Sequence, residues 1–96
     1  MNVKLIRMWS GEDVVADLIK ETEDSITIVN PIVAVPSGQE NIAFAPWSPI
    51  IKGDSTEIEV TKKYVVYVSE TQDEILDQYN QMYAPVATPP KKRLIL

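Results

Sequence analysis

The sequence predicts an all-β domain, a small, strongly bent five-stranded barrel with a C-terminal helix. Three observations carry this reading. Apolar runs rich in β-branched residues, each bounded by turn formers, succeed one another through residues 3–35 with no helix in front. A proline interrupts the third run at its middle, where a strand must bend, bulge or lie at an edge. The apolar period changes from two to that of a helix only after residue 70.

The first run, Val3–Met8, places Val3 and Leu5 on one face and Lys4, Ile6 and Met8 on the other. Ser10-Gly11 forms the next turn, since Gly tolerates positive φ. In the second run Val14, Ala16 and Leu18 share a face opposite Val15, Asp17 and Ile19. Apolar residues on both faces fit a strand that is covered on both sides or that bends into a barrel. Glu23-Asp24 makes the second turn, and Ile26–Val29 opens the third strand. Asn30-Pro31 bends it before Ile32–Val35. Ile42–Ala45 is the fourth strand, ended by Pro46-Trp47-Ser48-Pro49, and Lys52-Gly53-Asp54-Ser55 is a loop tip. Ile58 and Val60 alternate with polar residues as a strand approach, and Tyr64–Val68 is the last firm strand. Val66 is expected to be covered there, in the core or in a contact between subunits. Ile75, Leu76, Tyr79, Met82 and Tyr83 then lie on one helical face. Thr71 and Glu74 have the spacing of a capping box. Residues 1–84 thus hold the barrel and helix, and 85–96 form a proline-rich, basic tail with Lys91, Lys92 and Arg93.

At 96 residues the chain is one domain with a limited core. It has no Cys for a disulfide and no His for a conventional zinc site, so oligomerisation is the remaining remedy for a small β domain. There is no signal peptide and no run near the ~20 apolar residues of a membrane helix, which predicts a soluble cytoplasmic protein without a membrane partner. Without His or Cys there is no imidazole base and no thiolate nucleophile. The three glycines are too scattered to cradle a phosphate. The acid pairs Glu12-Asp13, Glu23-Asp24 and Asp73/Asp77 read as solvated surface rather than a cation site. We expect no enzyme, metal or cofactor. The net charge of −5 opposes a strong phosphate grip, and the only basic cluster is Lys91-Lys92-Arg93, read first as a solubilising tail. Among the aromatics, Trp47, flanked by Pro46 and Ser48-Pro49, is the best candidate for an exposed anchor.

The segment Val3–Val35 resembles the first sequence motif of the Sm-like (LSm) family. Ser10-Gly11-Glu12-Asp13-Val14-Val15 resembles the turn into its second strand. Ala16-Asp17-Leu18 stands where Gly-x-Leu is preferred, and Asp24-Ser25-Ile26-Thr27-Ile28 resembles its Asp-led third strand. Tyr64–Ser69 would stand at the second motif. With Ala45-Pro46-Trp47-Ser48-Pro49, the pattern is most similar to short Sm-like proteins of tailed phages, including cyanophages. The resemblance implies an Sm-like, SH3-like barrel in a closed homo-oligomeric ring, pentamer to heptamer, in the cytoplasm of a host. It implies single-stranded, uridine-rich RNA as partner, in RNA processing or regulation. By analogy Asp24, Ser25, Ile26 and Thr27, with Ser69, line the RNA site. The chain departs from the family in having Thr27 where Asn is expected. Val68-Ser69-Glu70 stands at the Arg-Gly pair, and the helix is C-terminal. The alternative is a protein-interaction or assembly module on the same ring, using Trp47, the helix and Lys91, Lys92 and Arg93. An OB-like barrel is disfavoured, because it would need a helix between the third and fourth strands.

Overall fold

The computed structural model describes residues 1–36, 38, 42–48 and 56–83. In order these form β1 (Val3–Met8), β2 (Asp13–Glu21), β3 (Ser25–Pro36), β4 (Ile42–Pro46) and β5 (Ile58–Thr61), then a 3-10 turn (Lys62–Tyr64), β6 (Val65–Ser69) and α1 (Asp73–Tyr83). All ladders are antiparallel, in the order β4–β3–β2–β1–β6, with β5 also paired to β3. The class and the C-terminal helix agree with the sequence reading, but the strands number six among the described residues rather than five. Ile58–Thr61 is a strand in its own right, because it finds a partner in Ser25–Ile28. Tyr64 belongs to the turn that follows. The first half of β3 carries β5 and the second half carries β4, so these two strands share one lane.

The bend sits at Asn30-Pro31. Val15 pairs with Ile32 and Asp17 with Val29, so β3 holds one residue more than β2 at this point. Asn30 takes φ +51°, a conformation that Asn tolerates better than most residues, and Pro31 has no N–H to leave unpaired. An extra residue in a period-two strand exchanges its faces. Ile26 and Ile28 accordingly enter one apolar cluster, and Ile32 enters the other.

The first cluster is built from Ile6, Met8, Val14, Ala16, Leu18, Ile26, Ile28 and Val60. The second, on the opposite face, contains Val3, Val15, Ile32 and Tyr79 and is covered by Ile75, Leu76 and Tyr83 of α1. Both faces of β2 are therefore buried through Val14–Ala16, as its sequence suggests, whereas Ile19, on the Val15 face by parity, is exposed. The helix presents the expected face except for Met82, which is half exposed. Its first turn closes one residue later than a Thr71 capping box requires, since the Leu76 N–H donates to the Gln72 carbonyl at 2.9 Å. Val66 is 53% exposed on β6, so it is not a core residue.

Tyr79 joins the helix to the bend. Its ring is fully buried and lies 4.9 Å from that of Tyr83. Its hydroxyl accepts from the Asp17 N–H at 3.1 Å and faces the Asn30 and Val29 carbonyls at 2.9 and 3.2 Å. These are backbone groups of the bulge, and one phenol from 49 residues away meets them. Burial pushes the Tyr79 phenol up. Among the described residues no helix is long and apolar enough to cross a membrane. The loop tip Lys52–Ser55 and the tail with Lys91, Lys92 and Arg93 lie outside the described residues.

Candidate nucleic-acid interface

The β2–β3 turn is organised by Thr22. Its Oγ1 accepts from the N–H groups of Asp24 and Ser25 at 3.3 and 3.0 Å, while its own N–H donates to the Ser25 carbonyl at 2.8 Å. Asp24 is thereby held at the exposed tip. Ser25 starts β3, half buried, and its hydroxyl donates to Glu59 Oε2 at 2.9 Å. Thr27 is half buried between Lys20 on β2 and Glu59 on β5. Ile26 points the other way: at 1% exposure it is a core residue, because alternation sends it into the first cluster. It has no face to offer a ligand within the subunit. Thr22, Asp24, Ser25, Glu59 and Thr61 line a polar hollow of about 550 Å3.

The structure brings to this turn a pair of residues that the sequence reading did not single out. The Lys62 N–H donates to the Asp24 carbonyl at 2.8 Å, so the 3-10 turn Lys62-Lys63-Tyr64 lies against the acidic tip. Thr61 caps that turn, with its side chain accepting from the Lys63 N–H. Lys62 Nζ pairs with Glu21 at 2.9 Å, while Lys63 is exposed and makes no ion pair among the described residues. Ser69, expected at this site, is elsewhere. It lies at the far end of β6, opposite Leu5, roughly 13 Å of strand beyond Val65. Its hydroxyl donates to the Glu70 carbonyl at 3.2 Å. The two lysines could have been suspected from Thr-Lys-Lys between two apolar strands, but only the fold shows which turn they face.

Trp47 is half buried rather than a free anchor. It packs on the first cluster, and its Nε1 donates to Glu12 Oε1 at 3.2 Å. The exposed tryptophan is Trp9, at 76%. On the neighbouring β1–β2 pair, Arg7 forks onto Asp13 at 2.5 and 3.1 Å and lies 5.9 Å from the Tyr67 ring centre. The hydrogen bond and charge of Asp13 push its guanidinium up. Lys4 pairs with Glu70 across the β1–β6 ladder. No group of three or more acidic, Cys or His residues among the described residues could hold a metal ion.

No family model matches the chain, and a search of curated proteins finds no relative.

Proposed function

We propose that this chain is a non-enzymatic, Sm-like barrel that assembles into a closed homo-oligomeric ring and binds single-stranded RNA at the Asp24 and Lys62-Lys63 turns. The observation that carries the reading is the bond from the Lys62 N–H to the Asp24 carbonyl. In the family resembled, an Asp-led turn before the third strand and a cation from the second motif meet around the pore. Here Lys62 and Lys63 supply positive charge beside Asp24, which takes the second-motif role from Ser69. Ser25 and Thr61 add hydroxyls to the same hollow, Thr27 lies next along β3, and Ile26 supports the turn from the core.

Ring assembly is supported by the sheet's ends. Among the described residues β4 and β6 each pair on one side only. They are unlike edges, so joining one to the other runs head to tail and closes a ring when the rotation allows. Val66, Tyr67 and Ile42 are exposed on these two strands, which gives such a joint apolar surface to bury. The proline-rich basic tail would add cations to the assembly, and the host cytoplasm is its expected setting.

The test is binding of a labelled uridine-rich RNA 12-mer across a salt series, with particle mass measured by light scattering on the same sample. Ring-sized particles with salt-sensitive binding are expected, and Lys62→Ala with Lys63→Ala should flatten the salt slope by about two. A monomeric mass, or binding indifferent to the lysines, would overturn the reading. The excess of 14 acidic over nine basic side chains favours a second reading, a protein-interaction ring that has lost RNA binding. Ring-sized particles that bind no RNA would select it.

A further inference from the structure

We infer that a second, base-stacking site lies beside the Lys62-Lys63 turn, in the groove between Trp9, Tyr64 and Trp47, and that it takes an unstacked base of a single strand. The inference deepens the RNA reading and rests on it for the identity of the strand.

The groove has a volume of about 490 Å3 and a largely apolar lining, with Met8, Ile58 and Val60 beneath the three aromatic residues. Trp9 is 76% and Tyr64 58% exposed, unusual for side chains of this size in so small a domain. They are held side by side. The Trp9 N–H donates to the Tyr64 carbonyl at 2.7 Å, one step beyond Met8↔Val65, where the β1–β6 ladder ends. The pair therefore stands at the turn end of the sheet. The 3-10 turn Lys62–Tyr64 links it to Asp24, whose carbonyl accepts from the Lys62 N–H. Glu59 and Thr61 line both this groove and the polar hollow, so the two sites are continuous.

Charge decides between a nucleic acid and a basic peptide as occupant. The acids at the groove already have partners: Glu59 accepts from Ser25, and Glu12 accepts from Trp47 and Ser10. The adjoining cation without an ion pair among the described residues is Lys63. Flat aromatic faces beside an available cation suit a base and its phosphate, and stacking of this kind tolerates any base. The second site should thus add affinity without adding uridine preference.

The experiment uses the full chain with labelled oligouridylate and oligoadenylate 12-mers and free adenosine, reading anisotropy and tryptophan emission. Mass and melting are checked for each variant. Trp9→Ala and Tyr64→Ala should each weaken both oligonucleotides by roughly 5- to 150-fold with the salt slope unchanged. Trp9→Phe should restore most of the loss, and adenosine should quench the wild type more than Trp9→Ala. Oligonucleotide binding untouched by Trp9→Ala and Tyr64→Ala would overturn the groove and leave the RNA reading standing. Adenosine quenching that depends on Trp9, without oligonucleotide binding, would do the reverse. Neither signal would overturn both. A fall in particle mass with Trp9→Ala would make the groove a contact between copies and would also overturn the inference.

Discussion

Replacing Tyr79 with Phe removes one oxygen and leaves the ring in place. That oxygen serves three backbone groups of the bulge: the Asp17 N–H, the Val29 carbonyl and the Asn30 carbonyl. A phenol has one proton, so it donates to one carbonyl at a time and accepts from the amide, making two bonds. At about 0.5–1.5 kcal/mol net per bond, the loss of two bonds is roughly 1–3 kcal/mol. For a domain of this size a loss of about 2 kcal/mol lowers Tm by roughly 8–16 °C. The assay is thermal and urea unfolding at one fixed protomer concentration, since assembly makes Tm concentration-dependent. Hydrogen exchange at the Asp17 amide supplies a local readout and should accelerate in the variant. A Tyr79→Phe melting point within about 2 °C of the wild type, with Asp17 exchange unchanged, would refute the claim that this hydroxyl holds the bend.

The bend and the β6 edge respond to other perturbations. Burial raises the Tyr79 phenol in the folded state, so above about pH 10 the unfolded chain loses this proton first. Its contribution is whole below that pH and falls as pH rises; urea titrations should show a shallower alkaline loss for Tyr79→Phe. Asn30→Val places a β-branched side chain at φ +51° and should cost about 1–2 kcal/mol by urea unfolding, whereas Asn30→Gly should cost much less. Val66→Asp alters a side chain that is 53% exposed in the single subunit, so helix and sheet signals by circular dichroism should persist. If the β6 edge joins a neighbour, the same change should reduce particle mass in light scattering. A mutant with full mass would remove β6 from the contact.

Period-two alternation made much of the fold legible. Val14, Ala16 and Leu18 on one face and Val15 on the other are found in the two clusters that their parity assigns. The bend was legible from Pro31, because a residue without an N–H marks a break in a ladder. The exchange of faces across it was not, since it depends on counting the partner strand. Alternation at Ile58 and Val60 marked only a strand approach; the pairing with Ser25–Ile28 makes Ile58–Thr61 a strand. At the candidate site, Asp24, Ser25, Ile26, Thr27 and Ser69 came only from the family resemblance; Asp24, Ser25 and Thr27 lie together at the start of β3, whereas Ile26 is buried and Ser69 is remote. Lys62 and Lys63 were missed because what brings them there is one bond across 38 positions of sequence, from Lys62 to Asp24. Trp47 is half buried, and Trp9 is the exposed tryptophan, for a similar reason. Flanking prolines speak to backbone, whereas exposure is set by what the rest of the chain lays over the ring.

The Tyr79 clasp also sets an order of events during synthesis. The bend at Asn30 is made early, but the phenol that satisfies it arrives 49 residues later. At about 5–20 residues per second that is a delay of several seconds. Until then the Asp17 amide and the Val29 and Asn30 carbonyls lack the Tyr79 hydroxyl, and the Val3, Val15 and Ile32 face lacks its helix. The first three strands alone are therefore an unfinished surface, open to water or to a chaperone.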